Sequence, residues 1–406
     1  MLNAGHHKKW REVRTKTASS YTLQTLTTTV FHHHPHIVDF QNQVVMVNYS
    51  SIASSLLILI VSSSHGFAPA SLSRVAGNIL TSITQLNAIG VLARKAKEAE
   101  VRQYCETGID DETMAKVREM KENLEKIPSI AEWDKTGPGP VQRGLTKRKG
   151  TITVIAEYKR TFTVASGFAD EMFEPKVMSP TFREFGAAAV AVLADQRMGK
   201  CTYEDIKDVV EEQEEARGDV PGPLPVISSD LIVDEVQIAR SAAAGAKAVL
   251  LNYSISGKKT DFFIKCSRAL GMETLVGVST KEEAQAAIDA GGRIIVVTGI
   301  DDADEKASVV ADLNIPEGAA ICTVASILAN NNKALEEIEE AWLLRDKGFN
   351  AVFVSDCLYK SGNDPSEHAG AIIRGMIAKS SVKWASAKSM GGKGEGAREY
   401  LGDILM

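Results

Sequence analysis

Glu157 and Lys159 stand two residues apart, just after the apolar run Ile152–Ala156. In an extended strand, residues i and i+2 point to the same side, so a carboxylate and an ammonium would share one face. Held together away from water, they can keep each other ionised and polarise a bound substrate. A buried ion pair that only closes the core is the alternative reading. Asp195, Asp230 and Asp356 also follow apolar runs and are further carboxylates that could move a proton. Other chemistries are poorly supplied. Six of the eight histidines lie within the first 36 residues and a seventh is His65, which leaves His368 for the rest of the chain. A Ser-His-Asp triad or a multi-histidine metal site is therefore nearly excluded. Cys105, Cys201, Cys266, Cys322 and Cys357 are at least 35 residues apart, with no CxxC pair. Their odd count suits buried thiols in a reducing compartment rather than a disulfide framework. No cofactor and no metal is called for.

The elements that must position these residues come after an unusual front. The chain of 406 residues is 44% hydrophobic and 24% charged, values of a globular protein with a large core. The first 66 residues carry a balance of +3 and the remaining 340 a balance of −9, which gives no basic surface for nucleic acid. The run Leu56–Val61 is too short for a transmembrane span but suits the apolar part of a signal peptide at about 46–66. Gly66-Phe67-Ala68-Pro69 resembles the AFAP cleavage motif of plastid presequences in diatoms and related algae. Ala70–Gln85 has Ser, Thr and one Arg but no acidic residue, as a transit segment would. Residues 1–75 are thus expected to be presequence, with 1–45 an upstream extension before Met46. The expected destination is a secondary plastid, in the stroma or on its membrane surface.

Helical periodicity begins near Leu86, and a second helix is expected at Asp111–Lys126 before Gly137-Pro-Gly-Pro140 breaks the chain. From residue 151, apolar runs alternate with amphipathic stretches. Strands are expected at Ile152–Ala156, Ala188–Leu193, Leu224–Ser228, Ala248–Asn252, Thr274–Val278, Arg293–Thr298, Ala319–Thr323 and Ala351–Ser355. Eight strand–helix units predict an α/β (β/α)8 TIM barrel with an N-terminal helical extension over 86–380. An open doubly wound sheet is the alternative, but no GxGxxG follows the first strand. The Gly-rich 381–406 reads as a flexible tail, able to dock a partner.

Val154-Ile-Ala-Glu157-Tyr-Lys159-Arg160 resembles the first barrel strand of indole-3-glycerol-phosphate synthases, lyases of tryptophan biosynthesis. Further similar segments follow in order. Ala191-Val-Leu-Ala-Asp195 is similar to the second strand, Pro225–Ile238 to the third and Gly245–Leu251 to the fourth. Leu270-Gly-Met272 with Leu275-Val276 is similar to the fifth, and Leu92–Arg102 to the N-terminal helix pattern LxxIxxxKxxEV. That family closes the indole ring of a carboxyphenylamino-deoxyribulose phosphate with loss of carbon dioxide and water. The resemblance implies an acid, a base and phosphate donors at the C-terminal ends of the strands.

Glu157 and Lys159 fall on catalytic positions of the family. Ser229 stands where the resemblance puts the strand-3 lysine, the general acid, and Gly277 where it puts the strand-5 glutamate. Thr298 replaces an asparagine and Val324 a glutamate. Ser326 replaces a phosphate-binding glycine, Ser355-Asp356 a strand-8 pair, and Thr161-Phe-Thr163 a Ser-Pro-Ser. Glu273 precedes the strand-5 apolar run, so it is expected at the opposite end of the barrel from Gly277. A serine hydroxyl is no acid near pH 7, and each missing acid or base removes a factor of about 10² to 10⁴. The expectation is a family barrel whose reaction is lost, a plastid pseudoenzyme with a binding or structural role. Ser326 and Ser355 remain contacts for a phosphorylated small molecule, and the barrel face or the tail could serve a plastid protein. A divergent working synthase is the alternative.

Overall fold

The computed structural model describes residues 45–51, 54–60, 73–146, 150–161, 173–328, 334–359 and 368–378. The AFAP-like segment, most of the 1–45 extension and the 381–406 tail lie outside these residues. Val45–Ser51 and Ser54–Ile60 pair antiparallel in a sheet of their own, which takes in most of the Leu56–Val61 run.

Eight parallel strands form a closed barrel: β1 Thr153–Tyr158, β2 Ala189–Val192, β3 Val226–Ser228, β4 Ala248–Asn252, β5 Glu273–Val278, β6 Ile294–Val297, β7 Cys322–Ile327 and β8 Ala351–Val354. The last strand closes on the first in register, from Ala351 opposite Thr153 to Val354 opposite Ala156. Alternation sorts the side chains into two layers. Ile155, Leu250, Leu275, Val296, Val324 and Phe353 fill the interior. Their neighbours Val154, Val249, Val276, Ile295, Ala325 and Val352 pack outward beneath the helices.

Among the described residues, four α-helices precede the barrel: α1 Ser73–Thr107, α2 Asp111–Leu124, α3 Ile130–Asp134 and α4 Pro140–Leu145. Nine more lie between or after the strands: α5 Pro175–Glu184, α6 Tyr203–Glu215, α7 Glu235–Ala243, α8 Tyr253–Ser256, α9 Thr260–Ala269, α10 Lys281–Asp289, α11 Ala303–Val310, α12 Ala334–Asp346 and α13 Ala369–Ile377. Caps fix where several begin. Thr202 and Asp205 form a capping box on α6, and Asp234 and Gln237 form one on α7. None of the helices among the described residues is long and apolar enough to cross a membrane.

The α4 helix plugs the N-terminal end of the barrel, where Val141 and Leu145 join the interior cluster. Glu273 sits at that end as expected, and its carboxylate accepts from the first turn of α4, Val141 N at 2.6 Å and Gln142 N at 3.0 Å. A Cβ at residue 139 would stand 2.3 Å from Glu273 Cδ, so this approach requires Gly139.

Two expected boundaries are corrected. Strand 7 is not Ala319–Thr323 but Cys322–Ile327, and strand 1 runs past Ala156 to Tyr158. Both extensions carry polar residues, Ser326 and Glu157, that turn inward and are buried. An apolar-run reading stops short of such residues.

Candidate functional site

Glu157 reaches the C-terminal mouth of the barrel from the end of β1, and only 3% of it is exposed. Its Oε1 accepts from Ser229 Oγ at 3.1 Å, just past β3, and its Oε2 accepts a short bond from Ser355 Oγ, just past β8. The two serines therefore occupy the carboxylate from either side. Burial pushes the Glu157 carboxyl above its ordinary range, against the pull of Lys159 and the serine donors, while Asp356 pushes the same way as burial. Lys159, also buried, pairs its ammonium with the Asp356 carboxylate.

Asp356 opens a short 3-10 turn, Asp356–Tyr359, that leaves β8. Tyr359 closes the same seam: its hydroxyl donates to the Glu157 carbonyl at 2.6 Å and accepts from Lys159 N at 3.2 Å. The period-2 reading of β1 thus brings Glu157 and Lys159 into one cluster with Ser229, Ser355 and Asp356.

The other substituted positions lie on neighbouring strands. Gly277 is inward on β5, opposite Val296 of β6. A Cβ there would meet Leu251 O at 3.5 Å and Thr298 Cγ2 at 3.6 Å, ordinary contact distances, so the place of the expected glutamate is open to a side chain. Thr298 is buried beside it, just past β6, its amide bonded to Val278 O at 2.9 Å. Val324 lies a layer deeper, in the apolar interior. Ser326 is buried to 1% exposure next to Phe353, and its hydroxyl has no hydrogen-bond partner among the described residues. The Thr161 hydroxyl is also buried without a partner among the described residues, and Thr163 lies outside them.

Asp195 and Asp230 do not join this cluster. Both are bound by Lys97 of α1, Asp230 Oδ1 at 2.9 Å and Asp195 Oδ2 more closely. Burial alone would pull the Lys97 ammonium down, but Asp230 and Asp195 together outweigh it and hold it above the usual lysine range. Further donors surround both carboxylates. Asp195 accepts from Arg197 N and Met198 N at 2.8 Å each. Asp230 accepts from Leu231 N at 2.7 Å and from Tyr203 Oη and Gln237 Nε2 at 2.8 Å. This is a clamp that fastens α1 to the ends of β2 and β3, and Val101 packs below it against Leu231, Val233 and Val236. Sequence reasoning passed over Lys97, although it is the lysine of the KxxEV pattern in the N-terminal helix, followed by Glu100-Val101.

A closed parallel barrel with charged groups gathered where its strands end is the architecture of the (β/α)8 enzymes, whose reactive side chains project at that face. Within it the chain belongs to the indole-3-glycerol phosphate synthase family, whose sequence model matches residues 109–361. It is 37% identical over 175 residues to an indole-3-glycerol phosphate synthase of Leptospira interrogans, an alignment covering 42% of this chain and 64% of that one. It is 26% identical over 270 residues to one of Desulforamulus reducens, covering 65% of this chain and 89% of that one. A synthase of Aquifex aeolicus is 32% identical over 203 residues, covering 50% of this chain and 70% of that one.

Proposed function

We propose that this chain is a pseudoenzyme of the family, a barrel that binds a ligand or a partner in a plastid and no longer performs the ring closure. One observation carries the reading. At the mouth, Glu157 is held by the hydroxyls of Ser229 and Ser355, and Lys159 by Asp356, so each retained charge is already engaged by a protein group. The hydroxyl of Ser229 stands where the family resemblance calls for a lysine acid, and Gly277 offers no base.

A phosphorylated small molecule would meet Ser326, whose buried hydroxyl has no partner among the described residues, and Ser355 at the rim. A plastid protein docked through the barrel face or the 381–406 tail is the corresponding structural role. The location in the stroma, or on its membrane surface, is supported by the signal-like 46–66 segment and the acid-free stretch after it.

The test is complementation of a tryptophan-requiring bacterial strain that lacks the synthase, using residues 73–406 so that α1 is whole. Soluble protein without growth is the expected result, and growth without tryptophan would overturn the proposal. A divergent working synthase is the second reading, converting carboxyphenylamino-deoxyribulose phosphate to indole-3-glycerol phosphate. It is favoured by Glu157, whose raised carboxyl suits proton donation from a position that the family uses.

A further inference from the structure

The opposite end of the barrel holds a cavity of about 80 Å³ between α3, the C-terminal half of α9 and the start of β5. Four charged side chains line it: Arg268, Arg293, Asp134 and Glu273. Two of the carboxylates and one arginine are accounted for. Arg293 forms a two-pronged pair with Asp134, at 2.7 and 2.8 Å, and donates its other protons to the carbonyls of Ile288 and Gly292. Glu273 is held by the α4 amides.

Arg268 is different. It is 8% exposed, yet no carboxylate among the described residues pairs with it. It donates a hydrogen bond to the Gly291 carbonyl, and its guanidinium lies over the Trp133 ring, 4.8 Å from the centroid. A Cβ at residue 291 would stand 2.8 Å from Arg268 Nη2, so Gly291 and Trp133 together set the plane of the fork. Burial, with the like charge of Arg293 behind it, outweighs the attraction of Asp134 and Asp261 and pulls Arg268 down to about 10. In the same cavity wall, the buried Thr274 hydroxyl has no hydrogen-bond partner among the described residues.

A desolvated guanidinium that forms no ion pair among the described residues, sharing a cavity with a hydroxyl that has no protein partner there, is suited to receive an anion. We propose that this cavity binds a small monocarboxylate, with Arg268 presenting its fork and Thr274 adding a hydroxyl donor. A planar carboxylate matches the guanidinium edge. A dianion such as phosphate is disfavoured, because Asp134 and Glu273 line the same small space. The site is independent of any reaction at the Glu157 end.

The test is equilibrium dialysis of the full chain with radiolabelled acetate, with inorganic phosphate as competitor at constant ionic strength. Saturable binding of one acetate is expected, weakened about tenfold by Arg268→Lys, which keeps the charge and loses the fork. Thr274→Val should weaken binding severalfold while leaving the melting temperature equal or higher, since the hydroxyl it removes bonds to nothing in the free protein. Absence of saturable binding, phosphate displacing acetate more strongly than acetate itself, or equal affinity in Arg268→Lys would each overturn the proposal. Should Arg268→Lys fail to fold, undiminished binding by Thr274→Val overturns it instead.

Discussion

Two buried lysines, each facing carboxylates at the same end of the barrel, have been built to opposite standards. Lys97 lies between Asp195 and Asp230, and those carboxylates are further filled by backbone amides, a tyrosine and a glutamine. Lys159 has Asp356, and the nearby Glu157 carboxylate depends on two serine hydroxyls for its donors. The first arrangement engages all four carboxylate oxygens with protein donors, and its logic is structural. The second is bonded but thinly so, and its serines could turn to another acceptor. A retained catalytic pair and a structural clamp therefore differ less in residue type than in how many donors surround each carboxylate.

The comparison breaks first, and hardest, at Lys97. Lys97→Met leaves two buried carboxylates facing each other, and should lower stability by about 3–5 kcal/mol in urea unfolding. Lys159→Met should cost less, about 1–3 kcal/mol, because burial already holds the Glu157 carboxyl above its ordinary range, so it takes up a proton more readily when the ammonium goes. Equal losses in the two variants would show that the mouth is as rigidly satisfied as the clamp.

Acid and base should separate the regions by sign. Asp195 is held below its ordinary value, as Lys97 and the amides outweigh its burial. Its contribution is therefore present at neutral pH and lost as pH falls below about 4. Glu157 is raised, so its contribution is complete below about pH 4 and fades as pH rises through its folded value. Unfolding midpoints measured across that range should show Asp195→Asn removing loss of stability on the acid side. Glu157→Gln should instead remove loss on the neutral side. The smallest effect is expected at Gly277. Gly277→Ala should change stability by no more than about 1 kcal/mol, in the stabilising direction, because the added Cβ meets no atom closer than 3.5 Å.

Much of the barrel is legible in the sequence because its strands are buried on both faces and read as apolar runs. The reading falters where the interior turns polar, at the C-terminal strand ends. Glu157 and Ser326 each lie beyond the run that announces the strand, and β7 therefore extends several residues past its expected end. The shared face of Glu157 and Lys159 follows from spacing alone. Their partners do not: Ser355 is 198 residues from Glu157, and alignment to a family pattern names a position without naming its hydrogen bonds. Lys97 was hidden for another reason. Lysine on an amphipathic helix usually reaches solvent, and its burial is decided by two aspartates on strands that come later.

The polar contacts at the mouth also bear on how the chain assembles. Ser355 to Glu157 and Tyr359 to the Glu157 carbonyl join groups 198 and 202 residues apart, and both cross the junction of the first and last strands. Contacts so distant along the chain close late, after the intervening units have collapsed. During synthesis Glu157 waits for its last donor until β8 has left the ribosome. A chain stopped before residue 351 would hold a buried carboxylate and an open sheet edge, and would be a substrate for chaperones and proteases. The seam that marks the site is in this sense also the signal that the barrel is complete.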